Sequence, residues 1–287
     1  MRINTNVASL NAIESGTNNN IGTRNSLEKL SSGLRINKAS DDASGLAIAD
    51  KLRTQQNSIG QSISNANSAV AMIQIADKAM GEQSNILDIV KAKLIQASTS
   101  TTSDEGRQAI SKDINKLLNQ LDSIASQTNY NGISLLQEGE FDTDQALGLT
   151  FQIGEKENNT ILLNSVIRAN TKGLAGTDLD DLKFESGSSV GLTQEQARGH
   201  LKHIDTAINN LNTMRSDYGS VQNQIESATR NMMTQKTNIA AAESVIRDID
   251  YAQESANFNK LNIMGQGSTY AQAQANSRPN DILKLLQ

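Results

Sequence analysis

Between Leu201 and Ile249 apolar residues return every seven positions: Ile204, Leu211, Tyr218, Ile225, Met232, Ile239 and Ile246. A second series follows three positions behind: Ala207, Met214, Val221, Ala228, Gln235, Ala242 and Ile249, apolar at every place but Gln235. This is an a/d heptad seam, and it predicts one helix roughly 70 Å long at 1.5 Å per residue. A seam of that length has to be covered by other helices, and the same chain holds candidates. Leu52, Ile59, Ala66, Ile73, Met80, Leu87 and Leu94 keep the seven-residue interval, widened by Ile63, Val70, Ala76 and Val90. A third run, Ile110, Ile114, Leu117, Leu121 and Ile124, steps 4-3-4-3 and stops before Asn129-Tyr130-Asn131-Gly132. The expectation is a mainly α protein: a long antiparallel helical rod or coiled-coil bundle, with a Ser/Thr-rich turn at Ser98–Ser103 joining two of its helices. Globular helices seldom hold a seven-residue register beyond about 25 residues, which favours the rod over an ordinary core.

The pattern changes in the middle and at the ends. Leu149, Phe151 and Ile153 alternate with Thr150 and Gln152, and Thr160–Leu163 follows after Gly154–Asn159, predicting a β-hairpin with a long loop. Residues 165–192 are rich in Gly, Ser, Thr and Asp and read as loop or short strand, so 137–193 is expected to form a small β-hairpin tip. Thr193 and Gln196 match a capping box opening the heptad helix. At the N-terminal end Ile3, Val7 and Leu10 share a helical face, and Leu27, Leu30 and Leu34 extend an apolar face to a break at Gly33–Asn37. Ser40, Asp41 and Asp42 supply a cap and first-turn acids for the next helix. At the other end Gly265 and Gly267 weaken an apolar face that closes with Ile282, Leu283, Leu285 and Leu286. Neither end has the apolar area to fold alone, so both are expected to order on assembly.

Composition narrows the chemistry. The chain has 287 residues, 3% aromatics, no Trp and no Cys, and its single proline is Pro279. A thin core of Leu, Ile and Ala suits helices, and disulfides and thiol catalysis are excluded. The net charge of −5 without a Lys/Arg block argues against a nucleic-acid partner. No stretch approaches the roughly 18 apolar residues of a membrane span, and Met1–Asn6 lacks the apolar core of a secretory signal. His200 and His203 are the only histidines, and no third ligand or HExxH motif completes a metal site around them. P-loop and GxGxxG motifs are absent, and the pairs Asp41-Asp42 and Asp180-Asp181 read as caps or solvated charges. No enzyme, cofactor or metal is expected.

Four stretches carry a family resemblance. LSSGLRINKASDDASGLAIAD at 30–50 resembles the N-terminal signature of bacterial flagellin, and NYNGISLL at 129–136 resembles its turn into the β-region. AAAESVIRDID at 240–250 and AQAQANSRPNDILKLLQ at 271–287 are similar to its C-terminal signature. The resemblance covers about 1–137 and 194–287 in the family's order. It implies a filament subunit for swimming motility, located outside the cell and exported unfolded without a cleavable signal peptide. It implies paired terminal helices, 1–41 and 248–287, as the filament core (D0), and a rod domain, 42–247, as the layer around it (D1). The partners implied are further copies of the chain, the export apparatus and its chaperone, and the filament cap and hook-junction proteins. A hook–filament junction protein is the nearest alternative, and a cytoplasmic coiled-coil scaffold a more distant one.

One stretch departs from the family pattern. Many flagellins display an Arg-rich segment here that an innate immune receptor recognises. In LDIVKAKLIQ at 87–96, Ile89 and Lys91 stand where arginines are usual and Ala92 replaces a glutamate, next to Asp88. Weak receptor recognition is the expectation.

Overall fold

The computed structural model describes residues 5–137, 147–165, 168–175, 179, 182–183 and 192–285, without the side chains of 147, 164–165 and 279–285. Long helices dominate: α1 (Val7–Ser32), α2 (Ala43–Ala97), α3 (Asp104–Gln127), α5 (Gln194–Arg247) and α6 (Tyr251–Leu285), with a short α4 (Thr171–Ala175). Two antiparallel strand pairs complete the described structure: β1 (Asn129–Tyr130) with β2 (Ile133–Ser134), and β3 (Leu147–Gln152) with β4 (Thr160–Ser165). The chain forms two compact units. One combines Met1–Asn57 with Lys236–Gln287, and the other is Ser58–Gln235, so α2 and α5 contribute residues to both. The divisions fall inside α2, after Asn57, and inside α5, after Gln235.

In the unit 58–235, side-chain bonds between helices give the packing direction. On α2, Lys93 pairs with Asp113 of α3 at 3.0 Å, while Gln83, further back, donates to the Leu121 carbonyl at 3.2 Å, further forward. The same reversal runs along α5: Gln194 meets the Ser98 carbonyl (3.0 Å), Asp205 meets Lys91 (2.6 Å) and Arg215 meets Asp77 (3.0 Å). α3 and α5 are therefore both antiparallel to α2. The core between them is the heptad seam: Ile73, Met80, Leu87 and Leu94 from α2, and Ile204, Leu211, Tyr218 and Ile225 from α5, are essentially inaccessible. On α3 the buried stripe is Ile110, Ile114, Leu118, Leu121 and Ala125, while Leu117 and Ile124 are half-buried. The buried spacing is 4-4-3-4, with Leu118 and Ala125 inside in place of the expected Leu117 and Ile124.

Caps fix where these helices start. Thr193 and Gln196 form the expected reciprocal box, the Thr193 N–H donating to Gln196 Oε1 at 3.0 Å and the Gln196 N–H to Thr193 Oγ1 at 3.3 Å. Ser103 accepts from the Gly106 N–H and opens α3.

The strands lie along α2. An apolar groove of about 310 Å³ is lined by Asn65, Ala69 and Met72 of α2 and by Tyr130, Ile133, Leu149 and Phe151 of the two hairpins. This puts the strands level with residues 65–72, well before the end of α2 at Ala97. Residues 168–175 and Lys183 are tied down at several points. Gln83, fully buried at a d position, donates to the Ala169 carbonyl at 2.7 Å, and the Ala169 N–H donates to Leu136 O. Asp122 of α3 accepts from the Thr171 N–H and hydroxyl and from the Lys183 ammonium. Asn210 of α5 donates to the Leu174 carbonyl at 2.7 Å. The short α4, capped by Asn170 on the Gly173 N–H (2.6 Å), stands where only loop or strand was expected. Five residues including a glycine leave no helical period to read.

The other unit holds α1 and α6. They too are antiparallel: Asn6 donates to the Ala275 carbonyl at 2.8 Å, and the Ser26 hydroxyl bonds the Glu254 carboxylate. α6 continues through Gly265 and Gly267, the residues expected to weaken its apolar face.

Candidate assembly surface

What α1 buries is unusual. Its buried residues are Ser9, Asn19 and Ser26, whereas Val7 (58% exposed), Leu10 (55%), Ile13, Ile21 and Leu27 face outward. On α6, Ile263 and Tyr270 are 69% and 76% exposed, and Met264 is also open. α1 packs its small polar side against α6 and shows its aliphatic side, the reverse of an ordinary amphipathic helix. Close approach explains the polar side. A Cβ on Gly16 would sit 3.2 Å from Ser268 Oγ, and one on Gly22 would sit 3.2 Å from a Leu261 methyl. A groove of about 520 Å³ between the helices is lined by Ala12, Gly16 and Thr17 on α1 and by Leu261, Gly265 and Ser268 on α6.

Of the expected terminal residues, the structure places Val7, Leu10 and Leu27 on the open face and leaves Leu30 and Leu34 half-buried. Ile3 and Leu286 lie outside the described residues, as do the side chains of Ile282, Leu283 and Leu285. Sequence reading missed Ile13, Ile21, Met264 and Tyr270. The spacing of Ile13 three positions after Leu10 was the available signal. The seam residues Leu52, Ile239 and Ile246, all within this unit, are only half-buried. α3, which closes the seam in the other unit, starts at Asp104 and runs 24 residues, and no described third helix follows the seam here.

A joint sets the ends of α1 and α5 side by side. α1 stops at Gly33, whose φ of 72° allows its N–H to reach the Lys29 carbonyl at 2.9 Å. Leu34 and Asp248 then form an antiparallel bridge, Arg35 N–H donating to Arg247 O (2.7 Å) and Ile249 N–H to Gly33 O (3.1 Å). The Arg35 guanidinium donates to the Ile246 carbonyl at 2.7 Å. Residue 35 thus satisfies two carbonyls that the end of α5 would otherwise leave unpaired. Asp41 accepts the N–H groups of Lys38 and Asn37, and these bonds hold its carboxyl below the ordinary range. Lys38 donates to Glu28 at 2.6 Å, and this bond raises its ammonium pKa. Asp42 caps α2 through the Gly45 N–H (2.8 Å), and a Cβ at Gly45 would come within 2.8 Å of Ile36 Cδ1.

In the unit 58–235, Asp88, Ile89 and Ala92 lie exposed on one face of α2, with Ile89 48% open, while Lys91 bonds Asp205. The imidazoles of His200 and His203 stand 5.8 Å apart, tilted by 57°. Among the described residues no group of three or more His, Cys, Asp or Glu side chains is placed to hold a metal, and no helix is long and apolar enough to cross a membrane.

Long antiparallel helices with paired terminal segments and small flanking hairpins define a class of helical subunits that expose apolar surface at both ends of the chain. The model for the bacterial flagellin N-terminal helical region matches residues 3–140, and that for the C-terminal helical region matches 201–286. The flagellin of Bacillus subtilis is 36% identical over 100% of both chains. The flagellar filament 30.7 kDa core protein of Treponema maltophilum is 35% identical, again over 100% of both. A solved structure assigned as a flagellar hook-associated protein, from Vibrio parahaemolyticus, covers 72% of this chain and 99% of its own at a TM-score of 0.58; at 13% identity that likeness speaks to the fold alone. The chain belongs to the flagellin family and is a structural subunit of the flagellar filament.

Proposed function

We propose that copies of this chain polymerise through the open aliphatic face of the α1/α6 pair, which becomes the filament core. The observation that carries this reading is the inverted burial of α1: Ser9, Asn19 and Ser26 inside, Val7, Leu10, Ile13, Ile21 and Leu27 outside. Exposed aliphatic area of this kind is stabilised by leaving water at roughly 25 cal/mol per Å², and heterologous contacts that do not close produce a helical polymer. Ile3, Ile282, Leu283, Leu285 and Leu286 belong to the same proposed surface. In this reading 1–41 with 248–287 is the inner domain and 42–247 the layer around it. The chain acts outside the cell after export, with an export chaperone, the filament cap and hook-junction proteins as its further partners. The exposed Asp88–Ile89–Ala92 face belongs to a segment that an innate receptor binds weakly.

Leu10→Asp tests the assembly surface. At a position open in the single chain it leaves helix content unchanged, and in a polymer it buries an unpaired carboxylate at a cost of several kcal/mol. Filament growth from purified protein, followed by light scattering and electron microscopy, is expected to fail. Filaments of normal length from this variant exclude the α1 face as the contact.

A further inference from the structure

We propose that Asn131 is a site of spontaneous covalent modification, converting to isoaspartate through a cyclic imide formed with Gly132. Asn131-Gly132 is the only Asn-Gly pair in the chain. The two residues form the whole turn between β1 and β2, with φ of 51° and 81°, and both are exposed. Positive φ at both central positions is the pattern of a type I′ hairpin. Apart from its chain neighbours, nothing lies within 4 Å of where a Gly132 Cβ would be, so the tip of the turn stands clear of the rest of the chain. No backbone hydrogen bond among the described residues takes up its N–H, and none holds the Asn131 side-chain amide, whereas the neighbouring Asn129 amide is tied to the Gln127 carbonyl.

The reaction requires the Gly132 nitrogen to swing behind the Asn131 Cγ, out of the turn conformation. The hairpin resists this only weakly. It has two residue pairs, Asn129 with Ser134 and Tyr130 with Ile133, and a two-stranded ribbon of that size is marginal on its own. Local opening of so short an element costs little. In the open form the Gly132 nitrogen, losing its proton, bonds to Cγ, and Nδ2 leaves as ammonia. Water then adds to one of the two imide carbonyls. Opening on one side gives aspartate; opening on the other gives isoaspartate, with the main chain routed through Cβ. One water is consumed and one ammonia released, and no oxidant or enzyme takes part.

The product alters the surface beside it. Tyr130 and Ile133 line the apolar groove against α2, so a carboxylate and an extra main-chain carbon are placed at its rim. The lengthened backbone can no longer keep Tyr130 opposite Ile133 while the Leu135 N–H reaches Thr128 O, now 3.1 Å away. The subunit thereby acquires a time-dependent surface charge.

The experiment is ageing of the folded, full-length chain in mildly alkaline buffer, followed by peptide mapping by mass spectrometry and by labelling with a protein isoaspartyl methyltransferase. The expected result is an amide-to-acid mass gain at residue 131, with isoaspartate exceeding aspartate and conversion severalfold above that of any other Asn. Asn131→Gly, which keeps a residue suited to the turn, is expected to remove the label from this peptide. Retention of the amide in the folded chain, over a time in which the same chain in denaturant converts it, overturns the proposal. Label that persists at this peptide in Asn131→Gly overturns it as well.

Discussion

Tyr218 shows how one side chain joins the seam to the strands. It occupies an a position of α5, is 1% exposed, and its hydroxyl donates to the Leu135 carbonyl at 2.9 Å, just beyond β2. Burial pushes the phenol up to about 12. The unfolded phenol titrates near 10, so between those values the unfolded chain releases a proton that the folded chain keeps. The stabilisation is complete below about pH 10 and falls away as pH rises towards 12, by about 2–3 kcal/mol. Tyr218→Phe strands the Leu135 carbonyl and is expected to cost about 1–3 kcal/mol at neutral pH. It is also expected to flatten the alkaline loss. Urea unfolding of both proteins at neutral and strongly alkaline pH checks this, and equal alkaline losses would assign that limb to other groups.

For the helices the seam is the unit of argument. Ile225, fully buried, and Ile239, half-buried, occupy equivalent heptad places on α5. Ile225→Ala is expected to cost about 2–5 kcal/mol in the single chain, and Ile239→Ala clearly less, because its cavity opens to solvent. Thermal melting of the monomer distinguishes them; equal losses would mean that burial does not follow the division between the two units. Periodicity made the helices, their partners and the Thr193 cap legible, because each is a local pattern repeated many times. It could not show where the seam stops being covered, since that depends on the extent of α3 and not on α5 itself. Nor could it show that α1 turns Ser9 and Ser26 inward: an apolar face looks the same in sequence whether it meets the chain's own core or another copy. Gln83 was passed over because a polar residue at a d position breaks the pattern, although its bonds to Leu121 and Ala169 make it a fastening point.

At the scale of the whole molecule, the two units present different surfaces. The proposed receptor-facing stretch lies in the unit 58–235, where Ile89 offers no charge and Lys91 is engaged with Asp205. A lysine ammonium cannot reproduce the two-pronged bonding of a guanidinium. Weak activation of the innate flagellin receptor by the purified monomer is the expected outcome in a cell-based assay, with higher activation by the combined variant Ile89→Arg, Lys91→Arg and Ala92→Glu. Strong signalling by the unaltered chain would show that these positions do not control recognition. The other unit has a different consequence, one of timing. Asn6 meets Ala275, 269 positions later, and Ser26 meets Glu254, 228 positions later. A chain delivered from its N-terminus therefore holds α1 without its companion until almost everything else has arrived. Closing so large a loop adds only slowly to the entropic cost, so waiting is cheap, but it cannot be skipped. A chain cut short before Tyr251 brings α1 nothing to lie against, and the pairing of the two ends becomes a test that only an intact subunit passes.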